Sequence, residues 1–380
     1  MTHASCGKYD FTPLANLMED FVERRDIPGN DITVALDGEI LCRYQTGYAD
    51  RARRVPITDD TLYYLYSASK PITCAAVLRL VERGKLGLDD ALADYLPAFA
   101  SLTVDDGTGS PRPARKPVTI RDLFRMTNGY GYELSEKIAA MQGGVCETVP
   151  TLCHLVSFPI RFEPGEEFLY GLGHDLLAAV TEVVVGKKYR DYLAEEVFEP
   201  LGMTRTHMHP TEADRAALAK LYRMTDGVTS EIPDVNAYIF GDEYDSGGAG
   251  ILSCPEDYIK FAVTMTARGL SSNGYRLLQP ETVDLMRTAQ LSPSAQASFA
   301  VNTSHTGYGY ALGVRTHTDA SIGGWNAPVG EFGWDGAAGS YVSLCPETGV
   351  TIFYAQHVLG TPHGVNHKDI MNTVYACLGI

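Results

Sequence analysis

The chain has 380 residues, 45% of them hydrophobic and 21% charged, which supplies enough apolar side chains for a large core and excludes disorder as the default. Its 31 Lys plus Arg against 47 Asp plus Glu give a formal net charge of -16, so phosphate backbones and anionic membrane surfaces are repelled and nucleic acid is not an expected partner. The chain does not open with a cationic segment and an apolar stretch, and nowhere do about 18 apolar residues run together, so the expectation is a cytosolic protein that neither crosses nor binds a membrane.

Residues 11–26 place Leu14, Leu17, Met18 and Val22 at helical spacing. The next segment, 32–44, is two β-rich runs joined by Asp37-Gly38, a pair suited to the positive φ angles of a tight hairpin. Arg51, Arg53 and Arg54 have acidic neighbours at Asp50, Asp59 and Asp60 and read as a solvated loop rather than a binding patch. A strongly apolar helix is expected over 72–82 and a second over 87–96, followed by an exposed loop rich in Gly, Pro, Ser and Asp from 105 to 115. Helical patterns resume at 119–126, 175–185 and 188–198. After Ser246-Gly247-Gly248-Ala249-Gly250 comes one helix at 255–268 and then strands at 307–316, 339–345 and 350–358. The sheet is therefore assembled from both ends of the chain around a mainly helical middle. No internal repeat is present.

The eight cysteines, Cys6, Cys42, Cys74, Cys146, Cys153, Cys254, Cys345 and Cys377, are scattered without a CxxC pair and read as free thiols. In an oxidising compartment Cys146 and Cys153, close together in a predicted loop, would be the pair to suspect. His207 and His209 would suit a metal only on a strand, and a loop is expected there, so neither metal nor other cofactor is predicted. The sequence has no GxSxG elbow, HExxH, phosphate loop or dinucleotide fingerprint.

The motif with the most chemistry in it is Ser67-Ala68-Ser69-Lys70-Pro71, directly before the apolar helix. Pro71 lacks an N–H, and a helix beginning here loses nothing by that. Ser67 then stands at the helix start with Lys70 three residues on, on the same face. A serine hydroxyl is a poor nucleophile until a neighbour takes its proton, and a lysine desolvated at a helix start can be neutral enough to do so. Taken alone, the four-residue spacing also fits a capping serine with a surface lysine.

The surroundings of the motif carry a resemblance. Tyr66-Ser67-Ala68-Ser69-Lys70-Pro71-Ile72-Thr73 resembles the nucleophile helix of the serine β-lactamase and penicillin-binding superfamily, in its class C-like branch and nearest to its esterases. Gly47-Tyr48-Ala49-Asp50, Asp60-Thr61-Leu62-Tyr63, Val118-Thr119-Ile120-Arg121-Asp122-Leu123, Glu199-Pro200-Leu201-Gly202-Met203, Gly247-Gly248-Ala249-Gly250 and Pro280-Glu281-Thr282 follow in the family's order, from about residue 12 to the end. The family's Tyr-x-Asn motif is represented by Tyr170-Gly171-Leu172, with Leu172 where Asn is usual. The resemblance implies that Tyr170 relays protons between Ser67 and the leaving group, more easily if a cation lowers its pKa. It leaves open whether Lys70 or Tyr170 takes the first proton.

The family's third motif, Lys- or His-Thr-Gly, or Trp-Gly-Gly in its esterases, is matched by Trp334-Asp335-Gly336-Ala337. The resemblance implies a strand beside the nucleophile, with the amides of Ala337 and Ser67 as the oxyanion hole, where loss of one donor costs about 3–4 kcal/mol. Trp334 either closes the strand end as a buried aromatic or stacks on substrate. With no Lys or His at 334, and with Asp335 next to it, the expected substrate is a neutral or cationic ester or amide. His174, four residues after Tyr170, is expected to be structural, and Tyr130, Tyr132, Tyr238 and Tyr244 are loop residues able to wall a cleft.

The implied fold is α/β (α+β), β-lactamase/DD-peptidase-like: a single catalytic unit, 1–380, with an antiparallel sheet flanked by helices in a lobe of about 1–74 and 246–380, and an inserted mainly helical lobe of about 75–245. The implied function is a serine hydrolase acting through an acyl-enzyme on Ser67, a carboxylesterase for small neutral esters. The alternatives are an acyltransferase, amidase or D-aminopeptidase for a small metabolite, a weak β-lactamase, and a catalytically silent binding protein. The partner is a small-molecule ester or amide, and nothing in the sequence sets the oligomeric state.

Overall fold

The computed structural model describes residues 5, 6, 8–105, 107, 109–303 and 305–380, with only the backbone at Ser5 and Cys6, so the expectation for the Cys6 thiol lies outside the described residues. An opening helix, α1 (Thr12–Glu23), buries Leu14, Met18 and Phe21 along one stripe. Two long strands follow, β1 (Gly29–Leu36) and β2 (Glu39–Asp50), paired antiparallel across the Asp37-Gly38 turn, where φ is +50° and +82°. A short β3 (Val55–Pro56) completes that edge.

The rest of the sheet comes from the far end of the chain: β4 (Tyr308–Tyr310), β5 (Arg315–His317), β6 (Phe332–Asp335), β7 (Tyr341–Cys345) and β8 (Val350–Gln356). The eight strands lie in the order β4-β5-β6-β7-β8-β1-β2-β3, all antiparallel, so β8 against β1 joins the two ends of the chain. Both faces of the sheet are covered. On β8, Val350, Ile352 and Tyr354 enter one core with α1 and the C-terminal helix His363–Leu378, whereas Phe353 and Ala355 enter another with the helix Pro255–Thr266. Phe21 meets Tyr354 edge-on at 6.0 Å on the first face, and Tyr258 stacks on Phe353 at 4.2 Å on the second.

Between the two halves of the sheet runs the helical segment. The helix Lys70–Glu82 is buried from Lys70 to Leu78 and at Leu80, consistent with its all-round apolar sequence. Packed on it is Gly173–Val185, which ends at a left-handed Gly186. Two expectations change here. The helix predicted over 87–96 shrinks to Leu92–Tyr95, because Asp90 turns back to accept from the Gly87 amide and Tyr95, so its first residues form a turn. The helical middle also contains a hairpin, Tyr222–Thr225 with Val228–Glu231, whose first strand runs parallel to Val358–Leu359. No helix among the described residues is long and apolar enough to cross a membrane.

Candidate active site

The local structure around Ser67 is set by a strained residue just before it. Tyr66 has φ +48°, a left-handed conformation that costs a bulky side chain about 1–3 kcal/mol. Its buried ring is held edge-on between Tyr64 at 6.3 Å and Tyr238 at 6.2 Å. The chain turns there into a 3-10 segment, Tyr66–Ser69, that runs straight into the Lys70–Glu82 helix. Ser67 stays partly exposed, while Lys70 is fully buried beneath it.

Lys70 Nζ lies 3.1 Å from Ser67 Oγ and 3.0 Å from the Tyr132 hydroxyl, and donates to the Gly248 carbonyl at 2.6 Å. Burial pushes its pKa down to about 7, against the opposing pull of Asp175, Cys74 and Asp335. Asp175 is itself buried, accepting from Ser246 Oγ at 2.7 Å and from Tyr244 at 3.2 Å, and burial raises its pKa. A larger residue at Gly248 would have to displace the ends of the side chains around Lys70. A Cβ would come within 2.7 Å of Asp175 Oδ2, 2.8 Å of the Tyr132 hydroxyl and 3.3 Å of Lys70 Nζ.

Tyr170 arrives from the chain segment before Gly173–Val185 and its ring passes 4.7 Å from Lys70 Nζ. Its hydroxyl accepts from Trp334 Nε1 at 2.8 Å. Burial drives the Tyr170 pKa well up, and hydrogen bonds with Ser67 and Trp334 offset only part of this. The relay would run more easily if a cation lowered this phenol's pKa; here burial prevails instead. Trp334 is buried and spends its N–H on Tyr170.

The strand end that carries Trp334 is fixed to the serine turn at Gly336. A Cβ there would sit 2.2 Å from the Leu65 carbonyl, and Ser340 Oγ donates to that same carbonyl at 2.9 Å. Gly336 N donates to Ser340 O at 2.8 Å, closing the turn that presents Ala337. Ala337 is partly exposed, and its carbonyl lies 3.1 Å from His363 Nε2. Pairing of β6 with β5 stops at Gly333, so the strand has an open edge from Trp334 onward. Asp335 lies 3.2 Å from His305 Nε2, and His305 stacks on Trp334 at 5.3 Å. Burial would raise the Asp335 pKa, but the charge of His305 with its hydrogen bond, and the charge of Arg315, outweigh it and hold the carboxyl below the usual range.

Ser67, Lys70, Tyr170, Trp334, Asp335, Gly336 and Ala337 therefore meet in one place. Reasoning from sequence singled out Tyr132 only as one of four loop tyrosines, and the structure separates them. Tyr132 is on Lys70 and Tyr238 is beside it at 4.9 Å, whereas Tyr130 and Tyr244 are buried. Asp175 and Gly248 were legible only as pieces of motifs, and His305 carried no signal at all. His174 is buried, 3.1 Å from the Phe124 carbonyl and 3.6 Å from Cys74 Sγ, and burial holds its pKa at about 3. His207 and His209 face separate carboxylates, Asp214 at 3.6 Å and Asp245 at 2.8 Å. Cys42, Cys74, Cys146, Cys153, Cys254, Cys345 and Cys377 are free. A groove of about 720 Å³ reaches Glu133 and Leu169, the neighbours of Tyr132 and Tyr170, without reaching Ser67 itself.

The β-lactamase family model matches residues 14–372, nearly the whole chain. The chain belongs to the β-lactamase family. It is 29% identical over 348 residues to esterase EstB of Burkholderia gladioli, covering 85% of this chain and 84% of that one. It is 28% identical over 328 residues to monacolin J acid methylbutanoyltransferase of Aspergillus terreus, covering 80% and 77%. Among solved structures, EstCE1, described as a hydrolase with promiscuous acyltransferase activity, superposes with a TM-score of 0.82 at 26% identity over 96% of this chain and 97% of its own. The mixed α/β architecture is that of these neighbours, and the protein is an enzyme of the class they represent, a serine hydrolase or acyltransferase of the β-lactamase fold.

Proposed function

We propose that the protein is a carboxylesterase for small esters that works through an acyl-enzyme on Ser67. The observation that carries this is Lys70: an amine with no exposure, 3.1 Å from the Ser67 hydroxyl, whose pKa burial brings down to about 7. In its neutral form it takes the serine proton as Oγ attacks the ester carbonyl. Tyr170, whose phenol burial keeps protonated, is suited to deliver a proton to the leaving alcohol, and Trp334 holds its hydroxyl in place. The amides of Ala337 and Ser67 receive the developing oxyanion, with Gly336 clamped against Leu65 to set their spacing. Water then attacks the acyl-enzyme by the same proton route in reverse. The absence of Lys or His at position 334 disfavours substrates that must be held by a carboxylate, such as β-lactams. A fluorophosphonate should label the wild type and not Ser67→Ala, and the wild type should hydrolyse short-chain aryl esters far faster than penicillins or cephalosporins. Labelling that survives Ser67→Ala, or efficient β-lactam turnover, would overturn this reading.

The second reading is acyl transfer to an alcohol or amine, favoured by the likeness to a methylbutanoyltransferase and to a hydrolase with acyltransferase activity. Added nucleophile that raises aryl-ester turnover, with the acylated nucleophile as product, decides for it.

A further inference from the structure

Along the strand end beside Ser67, exposure alternates: Trp334, Gly336 and Ala338 are buried, whereas Asp335 and Ala337 are partly exposed. The strand ends at Asp335 and the chain then turns through Ala337. Asp335 ends the strand two residues before the amide proposed to hold the oxyanion, its charge acts on both Lys70 and Tyr170, and its side chain keeps 18% of its surface open. Its Oδ1 is turned inward toward His305 and is buried, so the open surface belongs to the rest of the carboxyl-bearing side chain.

Three features of the surroundings suit a cation. The rings of Tyr132, Tyr170 and Tyr238 are all partly exposed, with Tyr132 5.8 Å from Tyr170 and 4.9 Å from Tyr238, and aromatic faces beside a carboxylate attract ammonium groups. Two of these rings already flank an amine, since Lys70 Nζ is 4.7 Å from the Tyr170 ring centre and 5.5 Å from that of Tyr132. The groups facing Asp335 are His305, His363, His367, Arg315 and Lys70, and the guanidinium among them is fully buried and paired with Glu331 at 3.3 Å.

We infer that Asp335 makes the enzyme selective for esters or amides that carry an ammonium group within a few bonds of the reacting carbonyl. This rests on the acyl-enzyme reading above and narrows its substrate class. Nothing in the chemical step changes: Ser67 Oγ bonds to the carbonyl carbon, the ester C–O bond breaks, and the ammonium is held by charge alone.

The test uses two isosteric pairs of esters, an aryl ester of betaine with that of 3,3-dimethylbutyrate, and choline butyrate with 3,3-dimethylbutyl butyrate. Each pair exchanges a quaternary nitrogen for a quaternary carbon. Comparing the cationic-to-neutral ratio of kcat/KM between wild type and Asp335→Asn cancels intrinsic reactivity. The ratio should fall about tenfold in Asp335→Asn for at least one pair. A ratio unchanged in both pairs overturns the inference, as does fluorophosphonate labelling of Ser67 without turnover of either cationic ester. In wild type alone, tetramethylammonium should slow that labelling and tert-butanol at the same concentration should not; equal effects also overturn it. Failure of the probe to react with Ser67 at all would instead sink the acyl-enzyme reading.

Discussion

Lys70 and Asp335 are two ionisable side chains set into one cleft, and the fold treats them in opposite ways. Burial disfavours the charged form of each. For Lys70 that penalty prevails: its hydrogen-bond partners are a hydroxyl pair and a carbonyl, and its pKa falls to about 7. For Asp335 it is overruled, because His305 lies 3.2 Å away with the Arg315 guanidinium behind it. Depth alone does not decide the charge state of a cleft residue. An opposite charge within contact distance does, and the result here is an amine free to accept a proton beside a carboxylate that stays an anion.

Replacing the amine by a group that cannot be neutral breaks this contrast most severely. Lys70→Arg keeps the cation at every working pH and should lower kcat/KM on an aryl ester by about 10³-fold, measured by steady-state kinetics with circular dichroism to confirm folding. Gly336→Ala attacks the other side of the cleft. Its Cβ would collide with the Leu65 carbonyl at 2.2 Å and push the strand end off the serine turn, so kcat should fall about 10²-fold through the oxyanion site, while Lys70 and its pH dependence stay as they are.

A smaller change sharpens the comparison. With neutral Lys70 as the active form, kcat/KM should rise with pH through a limb near 7. Asp175 is the charge that most favours the ammonium, so Asp175→Asn should move that limb to lower pH by about one unit or less. A shift to higher pH would show that Asp175 does not act on Lys70 as an anion.

The smallest effect concerns groups that burial keeps neutral. His174, His357 and His367 are depressed to about 3, about 4 and about 3, each chiefly by burial. The unfolded chain binds protons on them near pH 6.5 whereas the folded chain refuses them. The stability they permit is therefore complete above about pH 6.5 and is lost as pH falls toward 4. Thermal melts should show Tm dropping by several degrees between pH 7 and pH 5, with a shallower slope in His357→Asn.

Much of this was legible before any coordinates. The Asp37-Gly38 hairpin and the all-apolar Lys70 helix follow from local patterns, because periodicity and turn chemistry act over a few residues. Where local preferences were weak, the reading failed. The 87–96 segment looks helical by composition, yet Asp90 finds the Gly87 amide and Tyr95 instead. The hairpin at Tyr222–Glu231 gains its place by pairing with Val358–Leu359, more than a hundred residues away.

The active site divides in the same manner. By itself the sequence determined that a serine and a lysine share one helix face, since three residues of separation place them there whatever surrounds them, and its motifs determined the family. Only the tertiary structure decided that Lys70 is dry, that Tyr170 is pinned by Trp334 rather than lowered by a cation, and that His305 guards the charge of Asp335. Those outcomes depend on solvent exclusion and on charges brought together from distant segments, and neither quantity is written in any short stretch of chain.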